Sequence, residues 1–186
     1  MGNSNLATGE SPPSRATPAL KLRAATSRDI AAIMAIERSP GFEHCMGRSN
    51  EDEHRAMLES PSHAYRLGIG ERGAIEAFAI LRDIGDLHGN IYLKRIAVTR
   101  PGQGLGTAFL RLVLDEAFGP MGANRVHLDC FADNARAQAA YAKLGFTRDG
   151  ILRKAYRLED GTSTDLVMIA VLKSEWEALA AKRKDP

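Results

Sequence analysis

The chain has 186 residues and a mass of 20.2 kDa, enough for one compact domain and short for two. It is 44% hydrophobic and 26% charged, the composition of a globular protein, and its longest apolar runs, residues 30–36 and 166–172, are far below the roughly 20 residues that span a bilayer. The 25 basic and 23 acidic residues leave a net charge of +2, which argues against nucleic acid or anionic lipid as a partner.

Residues 1–19 hold twelve Gly, Asn, Ser, Thr or Pro side chains and almost nothing large and apolar, so a mobile tail is expected there. The start carries neither a charged nor an apolar segment of the secretory kind, and the expected location is cytoplasmic. Cys45 and Cys130 are then reduced thiols, too few for a metal cluster. The five histidines form no His-x-x-x-His or His-Glu-x-x-His pattern, and no metal is assigned. The domain is expected over residues 20–182, with 183–186 as a solvated C-terminal tip.

Residues 21–25 read as a short strand. Ser27 or Asp29 caps a helix with Ile30, Ile33 and Met34 on its core face, and residues 41–49 form a loop. A polar helix at 51–59 ends before Pro61. Strands follow near 64–70 and 74–84, and a third at 91–99 after the loop 85–89. Leu105, Ala108, Phe109, Leu112 and Val113 recur at helical spacing. In residues 125–131, Val126, Leu128 and Cys130 alternate with His127, Asp129 and Phe131, giving a strand with two unlike faces. A helix at 135–144 stops at Gly145 in the C′ position, strands at 150–158 and 165–172 turn at Asp160-Gly161, and Ser174 caps a last helix. The order β-α-α-β-β-β-α-β-α-β-β-α predicts an α/β (α+β) fold: a mixed, mostly antiparallel sheet of about seven strands with helices on both faces, and a parallel pair across one crossover helix.

Pro101-Gly102-Gln103-Gly104-Leu105-Gly106-Thr107 joins a strand to the first turn of the strongest helix. Glycines there allow tight turning and close approach, and the first helical N–H groups are unpaired at the positive end of the dipole, an arrangement suited to phosphate. A P-loop would need Lys-Ser/Thr after the last glycine, where this chain has Thr107 and Ala108. A dinucleotide fold would place its third glycine one position later, in the first βαβ unit.

The segment from Leu93 to Val98, this glycine loop, and the stretch from Asn134 through Tyr141 to Phe146 together resemble the GCN5-related N-acetyltransferases (GNAT). The resemblance runs from about Leu20 to Trp176. Gly150-Ile-Leu-Arg153, Asp160-Gly161, Asp165 and Met168 are similar to the branch that acetylates ribosomal-protein N-termini. The resemblance implies acetyl-CoA as cosubstrate. It implies that the backbone of Ile96, Ala97 and Val98 pairs with the pantetheine arm, that Gly102, Gln103, Gly104, Leu105, Gly106 and Thr107 hold the pyrophosphate, and that Asn134 touches the cofactor arm. The family pattern opens with Arg or Gln where this chain has Pro101.

By the same resemblance Tyr141 is the general acid toward the departing thiolate, and Asp129 stands where some relatives carry a glutamate base. From the residues alone Asp129 is equally a structural carboxylate paired with Arg125 or Lys94. Asn134 caps its helix in either case. Glu43, His44 and Cys45 fall in the loop that shapes the acceptor pocket in this family, and Cys130 reads as a buried apolar strand residue. The expected activity is acetyl transfer from acetyl-CoA to a primary amine, on a protein N-terminus or a small molecule, by direct attack in a ternary complex. A non-catalytic acyl-CoA-binding module on the same fold is the alternative, and a homodimer is left open.

Overall fold

Alternation along one central strand sets the layers. In a computed structural model, which describes residues 19–42, 47–158 and 160–184, the strand β3 (Ile75–Arg82) points Ala77, Ala79 and Leu81 to one face and Phe78 and Ile80 to the other, all five without solvent exposure. The expectations for the N-terminal tail and for Glu43, His44 and Cys45 lie outside the described residues.

The other elements are β1 (Lys21–Ala24), a single 3-10 turn (Ser27–Asp29), α1 (Ile30–Glu37), α2 (Glu51–Glu59), β2 (His63–Ile69), β4 (Asn90–Val98), α3 (Leu105–Phe118), β5 (Arg125–Phe131), α4 (Ala135–Ala142), β6 (Thr147–Arg157), β7 (Ser163–Leu172) and α5 (Lys173–Lys184). The strands form one sheet in the order β1-β2-β3-β4-β5-β7-β6, antiparallel except for β4 beside β5, the pair joined by α3. Ile33 and Ile36 of α1 pack with Tyr65, Leu67, Phe78 and Ile80 on one face. Phe109, Val113 and Leu114 of α3 and Trp176 of α5 pack with Ala77, Ala79, Leu81 and Val126 on the other. The expected mixed, mostly antiparallel α/β sheet of seven strands is the one observed.

Of the two residues expected to cap the first helix, Asp29 stands at the N-cap of α1 and Ser27 opens the 3-10 turn before it, while the last helix start differs from expectation. The Asp29 carboxylate accepts from the Thr26 N–H (2.8 Å) and hydroxyl (2.9 Å), and Arg23 clamps the same carboxylate at 2.8 and 2.9 Å. The buried residues of α1 are Ile30, Ile33, Ile36 and Glu37, with Met34 only half-buried. The last helix begins at Lys173 rather than after Ser174, because the longer Glu175 side chain reaches back to the Leu172 N–H at 2.9 Å. No helix among the described residues is long and apolar enough to cross a membrane.

Candidate active site

The parallel pairing of β4 and β5 covers only Asn90 with Arg125, Ile91 with Val126 and Tyr92 with His127. Both strands run on, to Val98 and Phe131, without pairing to each other; one cavity lies between them, and a second adjoins it between the end of β4 and α4. A bulge in β4 helps shape this gap. Ile80 pairs with Arg95 and Leu81 with Leu93, so Lys94 is an extra residue with no partner on β3. Strict alternation would put Leu93, Arg95 and Ala97 on one face. Instead Leu93 packs with α3, whereas Ala97 packs on the α1 face and Arg95 bonds there to Glu37.

The wider cavity, about 360 Å³, is lined by the strand residues Ile96, Ala97 and Val98, by Gly102, Gly104, Gly106 and Thr107, and by one side of α4. Gly102 and Gly104 have φ of +79° and +80°, with open space where a Cβ would stand. The first helical bond of α3 runs from the Ala108 N–H to the Gly104 carbonyl, which leaves the N–H groups of Leu105, Gly106 and Thr107 available. Arg136 and Lys143 of the α4 segment line the same cavity. Sequence reading missed both, although a spacing of seven places them on one helical face. Three expected residues fall outside this lining: Leu105 is 1% exposed in the core, the exposed Gln103 does not line the cavity, and Asn134 lines the narrower cavity instead. Such a cavity, with converging amides, two cations and an apolar strand wall, fits a phosphorylated carrier with an extended arm.

The narrower cavity, about 230 Å³, lies on the other side of Tyr141 and includes Tyr92, Lys94, Asp129, Asn134 and Tyr156. Ile96, Ala137 and Tyr141 line both cavities, and of these three Tyr141 alone carries a side-chain proton donor. Asn134 fixes one end of its helix, accepting from the Ala137 N–H at 3.1 Å. At the other end the Gly145 N–H bonds to the Ala142 carbonyl and the Phe146 N–H to the Tyr141 carbonyl, closing on Gly145 at φ +87°. The Phe146 ring then packs against the Tyr141 ring at 5.6 Å. Burial, with smaller contributions from Cys130 and Asp129, pushes the Tyr141 phenol above its usual pKa, so the group is protonated at neutral pH.

Asp129 pairs with neither Arg125 nor Lys94. Its Oδ1 accepts from the Tyr92 hydroxyl, and Arg125 pairs instead with Asp149 at 2.5 Å. Tyr92 and Asp129 lie on the same side of neighbouring parallel strands, which brings the phenol to the carboxylate. Burial, then the bond to Asp129, raises the Tyr92 phenol well above its ordinary range. Cys130 is half-buried at the cavity wall, and burial lifts its thiol to about 11, which leaves it un-ionised and a poor nucleophile.

Behind this wall lies a buried polar network that the sequence did not announce. Glu37 and His54 have no exposure; the His54 ring nitrogens stand 3.1 Å from Glu37 and 3.0 Å from the Tyr65 hydroxyl. Arg95 donates to Glu37 at 2.9 Å and to the Ser49 hydroxyl at 3.1 Å. Burial alone would raise the Glu37 pKa, but the His54 bond and the Arg95 charge outweigh it and hold the carboxylate below its usual value. A glutamate inside an apolar helix and a histidine eleven residues before a tyrosine carry no signal until the fold brings them together.

Fold and site define an acyltransferase of the acetyl-CoA type, and comparison with known proteins agrees. The model of the Acetyltransferase (GNAT) family matches residues 29–146, and the chain belongs to this family. It is similar to the uncharacterized N-acetyltransferase YoaA of Bacillus subtilis, at 24% identity over 173 residues covering 84% of this chain and 95% of that one. It is 30% identical over 104 residues to the N-alpha-acetyltransferase RimI of Mycobacterium tuberculosis (54% of this chain, 63% of the other). The putative ribosomal N-acetyltransferase YdaF of Bacillus subtilis matches at 33% over 82 residues, 44% of each chain. Among solved structures, a spermidine N-acetyltransferase SpeG chimera from Vibrio cholerae and hSSAT superposes with a TM-score of 0.76 at 18% identity, covering 85% of this chain and 98% of that one. The protein is an N-acetyltransferase that carries the acetyl group of acetyl-CoA to an amine, and nothing supports the alternative of a non-catalytic module.

Proposed function

We propose that the wider cavity takes acetyl-CoA, that the narrower one takes the acceptor amine, and that the acetyl group crosses beside Tyr141 by direct attack. The carrying observation is that Tyr141 lines both cavities. The amides from Gly102 to Thr107, with Arg136 and Lys143, hold the pyrophosphate end, and Ile96, Ala97 and Val98 offer their unpaired backbone edge to the pantetheine arm. Pro101 contributes no N–H, so the anion rests on the amides after it. Asn134 keeps α4 in register beside the arm. Residues 20–182 are taken as one acetyltransferase domain, acting in the cytoplasm.

In the reaction a neutral amine attacks the thioester carbonyl, the C–S bond breaks, and the departing thiolate takes a proton from the Tyr141 hydroxyl. Asp129 accepts the amine's proton, directly or through a water, on the oxygen that Tyr92 leaves free. Replacing Tyr141 by Phe keeps the Phe146 packing and removes one proton donor. Turnover is expected to fall by about 10²–10⁴ while CoA affinity, measured by calorimetry, stays unchanged. A Phe variant with full turnover under chemistry-limited conditions overturns the assignment.

A further inference from the structure

The narrower cavity has basic walls. Three of its lining residues, Arg82, Lys94 and Arg95, are cations, against Asp129 alone among its carboxylates. Each cation is held there by a different part of the structure. The bulge that removes Lys94 from the β3 pairing also turns Arg95 to the same side, so two consecutive residues of one strand line one cavity. Arg95 is fixed from behind by the fully buried Glu37 and by Ser49. The Arg82 guanidinium stacks on the Tyr92 ring at 4.2 Å; its buried Nε makes no hydrogen bond and forms a long ion pair with the Asp83 carboxylate at 3.4 Å. Lys94 is half-buried and makes no ion pair or hydrogen bond among the described residues.

Asp129 keeps its charge on accepting from the neutral Tyr92 phenol, Glu37 balances Arg95, and Asp83 stands against Arg82, so the donors left for an anion in the cavity are the unpaired Lys94 and the Arg82 guanidinium with its unbonded Nε. The response of Lys94 agrees. Burial, then the charges of Arg95 and Arg82, lowers its pKa against the opposing pull of Asp129 and Glu53. A polyamine entering here would bring more positive charge into a basic, partly desolvated site. A single amine with an anion close by would meet Lys94 and Arg82 with its anion. The same field would also favour the neutral form of the amine, the form that attacks.

We infer that the acceptor is a small amine that carries a carboxylate near the reacting nitrogen, an amino-acid-like substrate, with Lys94 and Arg82 as the carboxylate's partners. The inference rests on the narrower cavity being the acceptor site. Its size, about 230 Å³, suits a compact acceptor more than a long peptide or polyamine.

The test is CoA release from acetyl-CoA with four kinds of amine: free α-amino acids, the corresponding α-amides, short peptides whose second residue is Asp or Glu, and spermidine. The amides have the less basic amines and are intrinsically easier to acetylate, so a preference for the acids must come from the site. The free acids are expected to lead in kcat/KM by about ten- to hundredfold, the scale of a charge-assisted hydrogen bond. Lys94→Gln and Arg82→Gln should each lower the acid-over-amide ratio of kcat/KM by about tenfold, and Arg82→Gln, which also uncovers the Tyr92 ring, should slow both kinds of substrate besides. Better turnover of amides or spermidine, or Lys94→Gln slowing acids and amides alike, overturns the inference while leaving the acetyltransferase reading intact. Preference for the acidic peptides moves the carboxylate onto a protein N-terminus and overturns the small-substrate assignment. If no amine is acetylated by a protein that binds acetyl-CoA, the assignment of the two cavities falls, and this inference with it.

Discussion

Asp129 depends for its orientation on one phenol. The Tyr92 hydroxyl occupies one carboxylate oxygen, and Arg82 covers the Tyr92 ring, so the other oxygen is the one left to take a proton. Asp129→Asn keeps the shape and removes the proposed base. The expected loss at neutral pH is about 10²–10⁴, shrinking as pH rises and the amine deprotonates unaided. Tyr92→Phe leaves the base but frees its rotation, and a smaller loss with the same pH trend is expected. An Asp129→Asn profile parallel to wild type at every pH would make the carboxylate a structural partner of Tyr92 only. Tyr141 and Asn134 were legible as residues because their spacing repeats a family pattern. Tyr92, Lys94 and Arg95 were not, because a bulge cannot be read from a run of strand-forming side chains.

At the scale of elements, α4 is short, and its two ends do most to place Tyr141. Gly145 closes the C-terminal end with φ +87°, and a Cβ there would stand 2.4 Å from Leu179 Cδ1 of α5. Gly145→Ala therefore combines left-handed backbone strain with a clash against the neighbouring helix. A loss of about 1–3 kcal/mol is expected, together with reduced turnover as the Phe146–Tyr141 contact loosens. Gly73→Ala is the control: it has φ +77° with open space around it, so it carries the strain without the clash, and in the turn between β2 and β3 it lines neither cavity. Thermal unfolding and kcat measured on both variants separate the two contributions. Equal stability of the two alanine variants would show that Leu179 yields freely. The C′ role of Gly145 was readable beforehand from an amphipathic run stopping at glycine, whereas its contact with α5 was not.

At the scale of the whole molecule, acid stability should report on the carboxylates that tie the helices to the sheet. Asp29 is 8% exposed, and the Arg23 bonds, opposed by burial and helped by Thr26, hold its pKa far below the ordinary value near 4. Glu37 is shifted in the same direction. A carboxylate whose folded pKa is depressed contributes its full stability above the unfolded pKa and loses it as pH falls toward the folded one. Asp29→Asn should therefore lower the urea midpoint by a constant amount above about pH 5, and the gap to wild type should narrow steadily below about pH 4. A gap that persists unchanged to pH 2 would mean the loss comes from packing rather than charge.

Local signals settled most of the architecture in advance. Alternation in β5, the helical repeat from Leu105 to Val113, the glycines of the loop and the turn at Asp160-Gly161 each act over a few residues, so periodicity and turn chemistry suffice to place them. Most of the proposed cofactor side was legible for the same reason, being one strand end, one loop and the helix that follows, whereas Arg136 and Lys143 join it from the α4 segment. The acceptor side was decided only by tertiary structure. Its wall joins Arg82 of β3, Lys94 of β4, Asp129 of β5 and Tyr156 of β6, residues up to 74 positions apart that meet only because two parallel strands part after three pairs and one of them bulges. Splaying and bulging depend on what packs against each face of the sheet, and that information is spread over the whole chain.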